Sequence, residues 1–95
     1  MTKDELIRQY GHVIWKEVER ERDCERSKLT GELDTIIEAS GCAPYDWKNS
    51  PEGILEYTQR VLPTQTAKDA AFIRCSRLEE ISEYSRAVYD LTMRR

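Results

Sequence analysis

The chain has 95 residues, 39% of them hydrophobic and 35% charged, with a formal net charge of −3. That length suits one domain and is too short for two. A small net charge with periodic apolar residues argues for a folded chain and against disorder.

No apolar run approaches the roughly 20 residues that span a bilayer. The opening MTKDELIRQY turns charged at once and lacks a signal-peptide core, so a cytoplasmic protein with no membrane partner is expected. The three cysteines, Cys24, Cys42 and Cys75, form no Cys-x-x-Cys pair. They fit reduced thiols better than a disulfide framework or a zinc site. A core this thin in so small a domain leaves little stability to spare, which raises the expectation of a homo-oligomer.

The first element begins at residue 3. Leu6, Ile7, Tyr10, Val13, Ile14 and Val18 recur at helical spacing, Thr2 can cap the start, and Asp4 and Glu5 suit its positive end. Gly11 interrupts this pattern, which suggests that something packs closely there. From Lys16 to Lys28, ten of thirteen residues are charged. Such a run is either a solvated helix end or an arm gripped by another subunit. Trp15 lies beside the main stripe and hints at self-association. Trp15, Arg20, Arg22 and Arg26 are therefore the candidate oligomer interface.

Leu29, Leu33, Ile36 and Ile37 form a second stripe, closed by Gly41 as a left-handed helix stop. The charged run and Gly31 predict a bend or short break between Cys24 and Thr30. Pro44, Tyr45 and Trp47 then mark an irregular loop. Ser50-Pro51-Glu52 reads as the start of a third helix running to about Leu62, and Pro63 ends it. Thr64 or Thr66 caps a long last helix over residues 66–93. Its stripe runs Ala67, Ala71, Arg74, Leu78, Ile81, Tyr84 or Ser85, Val88 and Leu91. An Asp90–Arg94 pair and the terminal Arg94–Arg95 suit its negative end. The predicted fold is all-α, a small bundle of three to four antiparallel helices with a long C-terminal helix.

Chemistry is sparse. His12 is the only histidine, the four glycines are too dispersed to cradle a phosphate, and no metal-ligand spacing is present. No enzyme, cofactor or metal is expected. Residues 1–28 carry no net charge, residues 29–63 carry −4 and residues 64–95 carry +1. Nucleic acid, which needs clustered Lys and Arg, is a poor partner for such a chain.

Tyr45, Asp46, Trp47, Glu52, Glu56 and Tyr57 place aromatic residues among acids, as interaction hot spots do. The same aromatics could equally fold back as a hydrophobic plug over the bundle. The primary expectation is an accessory or inhibitor protein, of the kind small phage or mobile-element proteins often are. It would occlude a partner with a basic or mixed surface through this loop. The alternative is an oligomeric nucleotide or phosphate binder, with Tyr10 and Arg74 forming a pocket between subunits.

Overall fold

The computed structural model describes residues 2–93. The Asp90–Arg94 pair and the Arg94–Arg95 helix end expected from the sequence lie outside them. Among the described residues three helices account for the regular structure: α1 (Lys3–Ala39), α2 (Ile54–Val61) and α3 (Gln65–Thr92). Among the described residues there is no strand. The all-α expectation holds. The expected bundle of three to four antiparallel helices reduces to one long antiparallel pair and a helix of eight residues.

The predicted bend in α1 is absent, and the helix runs unbroken for 37 residues. At about 1.5 Å per residue this is roughly 55 Å, which matches the longest molecular dimension of 55 Å. Two features carry it through the charged run. Arg20 pairs with Glu17 and Arg22 with Glu19, each one turn away. The Thr30 and Thr35 hydroxyls donate back to the carbonyls of Ser27 and Gly31 instead of capping a new helix.

Both ends of α1 are sealed locally. Thr2 and Glu5 form a capping box. At the other end Gly41 adopts φ 72°. There the Cys42 and Gly41 amides donate to Ile37 and Glu38, a Schellman closure.

Helices α1 and α3 lie antiparallel. Facing partners rise in number along one helix as they fall along the other: Gly11 meets Thr92, Trp15 meets Tyr89, and Glu32 meets Arg74. The half-buried or buried seam positions of α1 are Gly11, Trp15, Val18, Arg22, Glu25, Leu29 and Leu33. They repeat in steps of three and four, as in a coiled coil. On α3 the buried residue at the ambiguous position is Ser85, and Tyr84 is exposed.

The core sits at one end, the head, where Leu33 and Ile37 of α1 meet Leu62 and the Ala71 and Cys75 of α3. Helix α2 covers it. Thr58, fully buried, donates its hydroxyl to the carbonyls of Ile54 and Leu55 and so brings no unpaired polar group inside.

The expected helix start at Ser50-Pro51-Glu52 does not form. The Ser50 hydroxyl accepts from the Glu52 amide and donates to the Glu52 carbonyl, which also accepts from Tyr45 Oη. With that carbonyl engaged, the helix begins two residues later, after Gly53. Thr64 caps α3 through the Ala67 amide.

Candidate functional site

Three regions could carry function. The first is the loop at the head. Tyr45, Trp47 and Tyr57 come together, with ring centroids 4.9 Å apart for Tyr45–Trp47 and 5.2 Å for Tyr45–Tyr57. Their polar atoms turn inward. Tyr45 Oη donates to Glu52 O, Tyr57 Oη to Ala43 O, and Trp47 Nε1 to Asp34 Oδ1 at 2.8 Å.

The loop's acids are engaged too. Asp46 Oδ1 accepts from the amides of Lys48 and Asn49, and Glu52 takes a two-pronged contact from Arg60 at 2.9 and 2.7 Å. The Arg60 hydrogen bonds hold the Glu52 carboxyl below its ordinary pKa. Tyr45 and Tyr57 are half-buried against the core, while Trp47 is 40% exposed and Glu56 is exposed. These aromatics chiefly brace the loop, and Trp47 alone keeps a broad wet face.

The second region is the stem, the stretch where α1 and α3 run together without α2. One flank of its seam is apolar. Tyr10 and Ile14 of α1 lie there on the same side as Tyr84 and Leu91 of α3, by helical periodicity. Leu6 and Val13 carry the apolar face on round the outside of α1, where Val13 shares a groove with Lys16, Glu17 and Arg20. All six apolar side chains are exposed, Val13 and Tyr84 at 63%. This differs from the sequence expectation, in which the α1 stripe packed inside a bundle. Helix α3 meets α1 through Gly11 and Trp15, about a quarter-turn away, so only Ile7 and Val18 of that stripe are half-buried. Toward the head, Val18, Ile81 and Tyr84 floor a groove of about 280 Å³ whose rim is charged, with Glu21, Glu25, Arg77 and Glu80.

The third region is the opposite flank of the stem. Trp15 packs edge-on against Tyr89 at 5.0 Å, and the Arg22 guanidinium lies over its ring at 5.6 Å. Trp15 thus belongs to the seam and widens it. Trp15, Arg22 and Arg26 line one groove with Ser82, Ser85 and Arg86. Three of the four residues singled out as an interface therefore converge. Arg20 does not, because it points away and pairs with Glu17 at 2.6 Å.

Tyr10 and Arg74 are not brought together within one chain. They sit at levels of α1 roughly 33 Å apart. Arg74 pairs across the seam with Glu32 at 3.2 Å and donates to Ala70 O. His12 is exposed on α1. Arg86 and Ser82 escaped the sequence reading because nothing in α3's own periodicity marks them. Only the α1–α3 register sets them beside Trp15.

Cys75 is buried, Cys42 half-buried and Cys24 exposed, and none is in a disulfide. Burial pushes the Cys75 thiol pKa up, and the neighbouring Thr58 hydroxyl opposes this in part. Among the described residues no cluster of His, Cys, Asp or Glu is arranged to hold a metal. No helix there is long and apolar enough to cross a membrane.

Together these features define the class: an all-α helical hairpin with a capped head and a two-helix stem whose flanks differ, one apolar and one basic. No protein-family model matches the chain, and no curated protein or solved structure does.

Proposed function

We propose that the protein is a non-enzymatic interaction module working as a homodimer, paired through the apolar flank of its stem so that its other surfaces face partners. The observation that supports this is the exposed flank itself: Tyr10 and Ile14 of α1 with Tyr84 and Leu91 of α3, four large exposed apolar side chains on one side of two helices. Contiguous apolar surface of this kind marks an interface more often than a solvated face.

A second copy is the occupant that fits the surface area. The chain exposes 6871 Å², whereas a compact protein of 11.2 kDa exposes about 5,700 Å². The excess of roughly 1,200 Å² exceeds the ~800 Å² that each partner buries in a standard interface. The radius of gyration, 17.2 Å, is likewise well above the ~12 Å of a compact chain this long. Two hairpins laid flank to flank about a two-fold axis make a four-helix bundle, which restores a compact core along the stem.

The head loop is the secondary contact in this reading. Its acids and hydroxyls are largely spent within the chain, leaving Trp47 and Glu56 as its free surface.

Sedimentation equilibrium over a range of concentrations tests the proposal. The native chain is expected at twice 11.2 kDa. Ile14→Glu with Tyr84→Glu is expected at the monomer mass with helicity retained, since both side chains are exposed on the single hairpin. A native monomer at every concentration would overturn it.

A further inference from the structure

We infer that the groove between Trp15 and Arg86 is a binding site for a phosphate group. Its walls come from both long helices: Trp15, Arg22 and Arg26 from α1, and Ser82, Ser85 and Arg86 from α3, around about 250 Å³. No carboxylate lines it, in a chain that carries 18 acidic residues and a net charge of −3.

The pairing of the arginines sharpens the point. Of the eight described arginines, five are in ion pairs: Arg20, Arg22, Arg60, Arg74 and Arg77. Arg8, Arg26 and Arg86 pair with no other described residue. Two of those three face the same groove, on different helices, where each leaves its fork of donors unspent. The third guanidinium there, Arg22, is half-buried. It is fixed by Asp23 at 3.1 Å, by the longer Glu19 contact at 3.8 Å, and by the Trp15 ring beneath it.

The donor set selects the ligand. Guanidinium forks match phosphate oxygens in pairs, and charge-assisted bonds of this type are the strong ones. A lone carboxylate is satisfied by a single fork, whereas a phosphate dianion has oxygens for several donors at once. The Ser82 hydroxyl adds a neutral donor. The Ser85 hydroxyl is already committed to the Ser82 carbonyl at 3.1 Å, so it contributes shape.

Trp15 is a wall here and not a stacking platform, because Arg22 covers one face and Tyr89 meets the ring edge-on. The groove therefore takes the phosphate end of a ligand and reads no base. It lies across the seam from the apolar flank, so pairing of two hairpins there leaves it open.

The test uses the full chain carrying Trp47→Phe, which makes Trp15 the sole indole. Pyrophosphate is titrated at constant ionic strength and Trp15 fluorescence is followed. A saturable change is expected. Arg26→Gln and Arg86→Gln are each expected to weaken binding about tenfold, the scale of one lost charge-assisted contact. Arg8→Gln, which removes the unpaired arginine elsewhere on α1, is expected to leave it unchanged. The assignment falls if the response never saturates, if chloride at matched ionic strength reproduces it, or if Arg8→Gln weakens binding equally. Binding of an oligoglutamate peptide in place of pyrophosphate would also overturn it, in favour of an acidic protein partner.

Discussion

Gly11 of α1 lies against the carbonyl oxygen of Thr92 on α3, so close that a β-carbon on Gly11 would stand 2.7 Å from it. That contact sets how near the two helices approach at the open end of the stem. Gly31, in the same helix, has nothing within 4 Å of the equivalent position. One substitution should therefore act with opposite signs. Gly11→Ala is expected to cost about 1–3 kcal/mol through overpacking against backbone. Gly31→Ala is expected to add about 0.5–1 kcal/mol by removing glycine from an exposed helix position. Urea unfolding of the two variants checks this, and a shift of both in one direction would refute the close approach.

The Glu52–Arg60 pair makes a pH prediction. Arg60 depresses the folded pKa of Glu52 below its ordinary value, chiefly through its hydrogen bonds. A carboxyl with a lowered folded pKa stabilises the fold above its unfolded pKa and ceases to as pH falls through the folded value. Stability of the native chain should thus decline on acidification more than that of Arg60→Gln, and the two should converge in acid. NMR titration of the Glu52 carboxyl should show its midpoint rise in Arg60→Gln.

Arg74 tests what a cross-seam ion pair contributes. It and Glu32 are each about a third exposed, so solvent screens their attraction. A double-mutant cycle with Arg74→Met and Glu32→Gln is expected to give a coupling of about 0.5–1 kcal/mol. A coupling near zero would mean that Arg74 is held mainly by its bond to Ala70 O.

The three thiols should separate by accessibility. Cys24 is exposed, Cys42 half-buried with its thiol on the Val61 carbonyl at 3.3 Å, and Cys75 buried with a raised pKa. Since the thiolate is the reactive form, alkylation monitored by mass spectrometry should modify Cys24 first and Cys42 second. Cys75 should react only as fast as the head opens. Equal rates for Cys24 and Cys75 would contradict the placement of Cys75 in the core.

Much of this architecture was legible from the residues. Thr2 and Gly41 announced helix ends that form where expected, and of the two threonines offered for the start of α3 it is Thr64 that caps, because capping is local chemistry. The continuity of α1 was not legible. Arg22 and Glu25 occupy seam positions, and two charged residues in an apolar repeat read as a gap. They are tolerated because the stem is narrow enough for both to reach water. The start of α2 failed for a different reason: Tyr45, seven residues away, takes the Glu52 carbonyl, and no local pattern encodes that contact. For the site, Trp15, Arg22 and Arg26 stood out as unusual, but their partner Arg86 is defined only by the register between helices. The stripe of Leu6, Tyr10, Val13 and Ile14 was visible, yet periodicity shows only that a face is apolar, without saying which surface covers it.

That uncovered stripe gives the last prediction. The buried apolar side chains concentrate in the head, around Leu33, Ile37, Leu62, Ala71 and Cys75, while the far stem is held by Gly11, Trp15 and Ser85 with little apolar burial. Local opening follows local burial, so a lone hairpin should exchange amide hydrogens fast around Val13 and Leu91 and slowly around Ile37 and Cys75. Pairing through the stem adds burial only at the fast end. Exchange near Val13 and Leu91 should therefore slow as protein concentration rises, by mass action, while exchange at Ile37 stays nearly constant. In Ile14→Glu with Tyr84→Glu the concentration dependence at Leu91 should vanish. Stem protection that is high and independent of concentration below the pairing range would mean that the two helices suffice by themselves, and the apolar flank would then need another occupant.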